Sequence, residues 1–149
     1  MNDKELELIK KAMLHEDEGA AYYTKQSQQW HEAQVCENFR QLAKEESLHS
    51  QWIKELFDEN KEFGDSKLFS FMSDVTSPQL FDWQGVKKIS DIGIKDVFLY
   101  AMDMEQASVK FYEDIKSSST DANMNALLDI LINWEKMHYT SLKEVYDSL

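Results

Sequence analysis

Residues 35–56, VCENFRQLAKEESLHSQWIKEL, decide the fold, because residues 124–145, MNALLDILINWEKMHYTSLKEV, repeat their pattern at an offset of 89 (124 minus 35). In the first stretch Val35, Phe39, Leu42, Glu46, His49, Ile53 and Leu56 advance by alternating steps of four and three. That spacing puts them on one face of a helix, along a packing seam. Met124, Leu128, Leu131, Glu135, His138, Leu142 and Val145 form the same stripe in the second. The offset extends upstream: Ala12-Met13 return as Ala101-Met102, Glu16 as Glu105, and Tyr22-Tyr23 as Phe111-Tyr112. Ile9, Ala12, Glu16, Gly19 and Tyr23 align in turn with Phe98, Ala101, Glu105, Ser108 and Tyr112. A single offset holding over so many positions, with no gap, means two copies of one helical hairpin.

The expected architecture follows from that repeat. Helices are predicted at about 3–30, 33–61, 94–117 and 121–148. Ser117-Ser118-Ser119-Thr120-Asp121 supplies a turn and a helix N-cap between the last two. The first turn, near Trp30-His31-Glu32, rests on the repeat alone. One proline and four glycines in 149 residues favour long helices over a sheet broken by turns. Residues 63–93 differ, with Gly64, Pro78, Gly85 and Gly93 interrupting the pattern and Phe69, Phe71, Phe81 and Trp83 as apolar anchors. They are read as a long crossover between hairpin one (1–62) and hairpin two (94–149), because a lone hairpin cannot bury its stripe. The whole is expected to be one all-α domain over 1–149, an antiparallel four-helix bundle.

Charge and composition exclude several classes of function. A formal net charge of −12 without a Lys/Arg cluster argues against nucleic acid as the partner. No apolar run approaches the roughly 20 residues needed to span a bilayer, so no membrane is expected and a cytoplasmic protein is. Cys36 is the one cysteine, which excludes an internal disulfide, a CxxC pair and a thiolate metal knot.

The polar members of the stripes carry the chemistry. Glu46 and His49, like Glu135 and His138, are three residues apart and leave one helix face about one turn apart. Glu16 and Glu105 occupy the facing helices. In an antiparallel hairpin, residues at equal height are centred on the turn. Position 31 lies midway between Glu16 and Glu46, and position 120 midway between Glu105 and Glu135. Both are predicted turns, so all six side chains can meet near the middle of the bundle. Four buried carboxylates without compensation would repel one another and take up protons. Two divalent cations set +4 against −4, and two neutral imidazoles complete the ligand set. Zinc usually takes fewer ligands, often thiolate or imidazole. Glu45 also lies one turn from His49, but its mate is Trp134. His15 and His31 align with Met104 and Thr120 and are read as non-ligands. Tyr23 and Tyr112, two turns after Glu16 and Glu105, are either core aromatics or hydrogen-bond partners of a ligand carboxylate. Cys36 is read as packed rather than catalytic.

Glu16-x-x-Gly19-x-x-Tyr22-Tyr23, Glu46-x-x-His49, Glu105-x-x-Ser108-x-x-Phe111-Tyr112 and Glu135-x-x-His138 resemble the rubrerythrin branch of the ferritin-like superfamily. The resemblance covers both hairpins and leaves the crossover unaligned. It implies a ferritin-like bundle holding two iron ions, or manganese, with Glu46 and Glu135 bridging the metals. Glu16 and Glu105 would be terminal ligands, and His49 and His138 would give one nitrogen to each metal. It further implies a di-iron oxidoreductase that reduces hydrogen peroxide or oxygen. The alternatives are an iron-sequestering ferroxidase and an oxygenase on the same fold. Two features depart from the family pattern. The sequence holds no four-cysteine rubredoxin module, so electrons must come from an external donor such as rubredoxin. Ser108 also stands where rubrerythrins place an extra ligand glutamate, leaving the more symmetric four-Glu, two-His set of bacterioferritin. A homodimer is expected.

Overall fold

The computed structural model describes residues 3–59 and 93–149, the side chains of 55–59 and 123 excepted. The predicted crossover and its aromatic anchors lie outside the described residues, Gly93 apart. The described residues form four helices: α1 (Asp3–Ser27), α2 (Ala33–Glu59), α3 (Ile94–Ser118) and α4 (Ala122–Ser148). The described residues contain no strand. None of their helices is long and apolar enough to cross a membrane.

The chain divides into two compact units, one built on α1 and α2 and the other on α3 and α4. In the first, α1 opens with Asp3 and Glu5 in its first turn and closes with Lys25 in its last, charges that suit the helix dipole at both ends. It stops at Ser27, a turn earlier than expected. The amides of Gln28 and Gln29 bond three residues back, to the carbonyls of Lys25 and Gln26, and the Ser27 hydroxyl takes the Thr24 carbonyl. These tighter bonds satisfy the last carbonyls and turn the chain out of the helix. The Trp30 indole then donates to Gln26 Oε1 at 3.3 Å, and the Cys36 thiol to the Trp30 carbonyl at 3.0 Å. Those two bonds tie the turn to both helices it joins.

Val35, Phe39, Leu42 and Ile53 are buried along α2, and Leu6, Ile9, Ala12, Met13, Tyr22 and Tyr23 along α1. Each large apolar side chain so buried contributes about 1.5–3 kcal/mol. Tyr23 stacks on Phe39 with ring centres 5.9 Å apart, and the Ser50 hydroxyl reaches the Met13 carbonyl. Both pairs are centred on the turn, as the antiparallel register requires.

The second unit follows the same rules with a better-marked turn. Asp121 caps α4, its carboxylate accepting the Met124 amide at 2.8 Å. Met124, Leu128, Leu131 and Leu142 are buried on α4, and Val97, Phe98, Ala101, Met102, Tyr112 and Ile115 on α3. Val145, at the end of the stripe, is half-buried. Lys116 on α3 pairs with Asp129 on α4, and the Lys95 ammonium lies 5.1 Å from the Tyr146 ring centre. The hairpin is therefore in register from its turn to its open end.

Candidate metal centre

Each hairpin brings its own three candidate ligands together. The stripe of α2 turns Glu46 and His49 toward α1, where Glu16 sits on the buried face two turns before Tyr23. One carboxylate oxygen of Glu16, one of Glu46 and one ring nitrogen of His49 lie within 4.8 Å of one another. Glu105, Glu135 and His138 gather within the same limit in the second hairpin. Burial is nearly complete: Glu16 is 0% exposed, Glu105 and Glu135 1%, Glu46 2%, and each histidine 5%.

Contacts within the two sets match as closely as the sequences do. His49 Nδ1 lies 3.3 Å from Glu16 Oε2, and His138 Nδ1 3.5 Å from Glu105 Oε1. His138 Nδ1 is also 3.9 Å from Glu135 Oε2, one turn away on the same helix. Burial pushes the Glu16 carboxyl toward its neutral form. Hydrogen bonds from Glu46 and His49 and the charges of His49 and His15 overcome that effect and lower its pKa from 4.5 to about 2. A carboxylate held ionised inside a protein is a ready cation ligand.

These donors fit a divalent metal. Carboxylate oxygen with imidazole nitrogen suits iron or manganese, and no thiolate is present to favour a softer ion. Within each hairpin the three buried groups form a carboxylate–histidine set of the kind that binds metal.

Other predicted residues fall beside the two sets. Tyr23 and Tyr112 are both fully buried. Tyr23 lies between Phe39, on which it stacks, and the edge of Tyr22, with ring centres 5.5 Å apart. Tyr112 packs at 5.3 Å from Phe111. Ser108 is buried, and its hydroxyl donates to the Met104 carbonyl of its own helix at 3.0 Å. Glu45 is half-buried and accepts from the exposed Gln41 side chain at 3.4 Å, outside the ligand set. His31 is exposed at the turn, and Cys36 is half-buried with its thiol on Trp30.

Sequence reasoning read His15 as a non-ligand but gave no sign that Lys10, His15 and Gln26 on α1 are buried. His15 stays outside the ligand sets but contributes positive charge felt by Glu16. None of the three is marked by the repeat, since their mates are Leu99, Met104 and Ile115. The available signal was the breadth of the buried face of α1, which exceeds one stripe.

Comparison with known proteins agrees with this geometry. No curated protein matches the sequence. A solved structure, a hypothetical protein from Pyrococcus furiosus, superposes with a TM-score of 0.65 at 18% identity. The match covers 96% of this chain and 88% of that one. The fold is an all-α, ferritin-like four-helix bundle. The family model described as Rubrerythrin matches residues 7–146, nearly the full length, and the chain belongs to the rubrerythrin family.

Proposed function

We propose that the chain is a di-iron carboxylate oxidoreductase that reduces hydrogen peroxide with electrons from an external donor. The observation that carries this reading is the pair of repeat-related, buried Glu-Glu-His sets. Glu16, Glu46 and His49, with Glu105, Glu135 and His138, would hold the two ions. Their four carboxylates offset the +4 of a ferrous pair. Bound there, two ferrous ions supply the two electrons that, with two protons, convert one peroxide to two waters.

The protein's own residues perform the remaining tasks. Glu16, held ionised, offers a carboxylate without first losing a proton. His49 and His138 lean on the carboxylates of the facing helices, which fixes their ring orientation. Gly19 and Ser108, buried one turn after Glu16 and Glu105, put the smallest side chains beside each set, where a small oxidant would approach. Tyr23 and Tyr112 act as positioning residues, their rings fixed by aromatic contacts. The one cysteine of these 149 residues, Cys36, has its thiol engaged with Trp30, so electrons reach the ions from a donor outside the two hairpins.

Stopped-flow mixing of the anaerobic diferrous protein with peroxide, and separately with oxygen, tests the assignment. Peroxide should oxidise the iron faster, in one round, with turnover resuming only when reduced rubredoxin is added. Faster oxidation by oxygen would replace the peroxidase reading with a ferroxidase or oxygenase one.

A further inference from the structure

Glu16, Glu46 and His49 are 0%, 2% and 5% exposed, so a reductant of protein size cannot touch the first ligand set directly. Trp52 bridges that set to the surface. It lies one turn beyond His49 on α2, with ring centres 6.2 Å apart and planes inclined at 35°, the separation of an aromatic pair in contact. His49 Nδ1 in turn lies 3.3 Å from Glu16 Oε2. The far side of the indole stands in water. Trp52 is 43% exposed, and it is the one exposed aromatic side chain among those described. Exposure on that scale forgoes much of the burial energy that a large ring can supply. The repeat provides an internal control. The mate of Trp52 on α4 is Ser141, also exposed, which has no ring to lay against His138. Two hairpins that agree in all six candidate ligands differ in this neighbour of the ligand histidine.

We propose that Trp52 is the port through which the external donor, a small one-electron redox protein, reduces the centre, and that electrons arrive at the Glu16–Glu46–His49 set rather than at its repeat. The inference rests on the metal reading above and not on whether peroxide or oxygen is the oxidant. Electron tunnelling weakens steeply as the gap widens, and contacting π-systems carry it better than water or saturated side chains do. Trp52 and His49 make such a run, from a face that a donor can touch to a group that would hold an ion. The step balances without bond chemistry. Each donor molecule loses one electron, a ferric ion gains it, and the indole ends unchanged. Two deliveries supply the two electrons that one peroxide consumes. The surface around the ring fits a protein donor: Leu48, half-buried, stands one turn before Trp52 on the same helix face. Tryptophan is among the residues that most often anchor a protein contact.

Two reductants separate electron entry from a structural role. Stopped-flow reduction of the oxidised, iron-loaded full chain by reduced rubredoxin should slow about tenfold or more in Trp52→Leu, which keeps apolar cover over His49 but removes the ring. Trp52→Phe, which keeps a ring, should retain most of the rate. Ser141→Leu, at the mate position, should leave it unchanged. Dithionite, a small anion, should reduce all four proteins alike, with iron content and helicity unaltered. A second readout needs no turnover. With Trp30→Phe, Trp83→Phe and Trp134→Phe combined, Trp52 is the one indole left, and anaerobic ferrous iron added to the metal-free protein should quench most of its emission. Emission unmoved by iron that elemental analysis finds bound would overturn the contact on which the port depends. Equal rubredoxin rates with and without the ring would overturn the port itself. So would a dithionite rate that falls as far as the rubredoxin rate, or no reduction by rubredoxin where dithionite succeeds. A chain that takes up no iron would overturn the metal reading and the port together, which elemental analysis tells apart from failure of the port alone.

Discussion

Replacing His49 with alanine separates a ligand histidine from a structural one, provided that loaded and metal-free proteins are compared. His49 is buried against Glu16, so its loss leaves a cavity costing about 2–3 kcal/mol whether or not metal is bound. That cost lowers both melting curves alike and says nothing about ligation. The informative quantity is the gap between them. Two ions, each present at about 1,000 times its dissociation constant, stabilise the folded chain by about 8 kcal/mol together. At about 2–4 °C per kcal/mol, chelation should lower the melting temperature of the unaltered protein by about 16–32 °C. With one set disabled, the gap should fall to about half. His138→Ala should behave in the same way, because Glu105 and Glu135 surround it as Glu16 and Glu46 surround His49. Calorimetry of anaerobically loaded and chelated samples gives the gap, and elemental analysis gives ions per chain. An unchanged gap with two ions per chain in both variants would refute the ligand assignment.

Three further outcomes follow from the geometry. The metal-free protein should lose stability as pH falls from about 4.5 toward 2, because the Glu16 carboxyl has a lower pKa folded than unfolded; Glu16→Gln should flatten that part of an acid-unfolding profile. Asp121→Ala removes the acceptor of the Met124 amide and should cost about 1 kcal/mol, whereas Asp121→Ser should restore most of it, read by denaturant midpoint. Phe39→Ala, which removes the ring beneath Tyr23, should cost about 3–5 kcal/mol in chemical denaturation and is the most damaging of these changes.

The helices were legible because their signals are local and repeated. Steps of four and three from Val35 to Ile53 fix a face, and the 89-residue offset confirms it from Met124 to Leu142. The Asp121 cap was legible for the same reason, since a cap is a contact between residues three apart. The six candidate ligands stood out as polar groups within apolar stripes. Where the information is tertiary, reading stopped. Lys10, His15 and Gln26 are polar residues on a broad buried face, and no periodicity separates a buried lysine from an exposed one. The end of α1 at Ser27 depends on turn bonds around Lys25, Gln26 and Trp30, whose side chains give no composition signal.

Each ligand trio resides on one hairpin, so each compact unit carries three of the six candidate ligands. A protease that cuts between residues 60 and 92 would divide the polypeptide without parting Glu16 from Glu46 and His49, or Glu105 from Glu135 and His138. Nicking there costs no ligand. The two fragments, expressed separately, form a natural pair for split-protein complementation, with metal uptake as the report of their reunion.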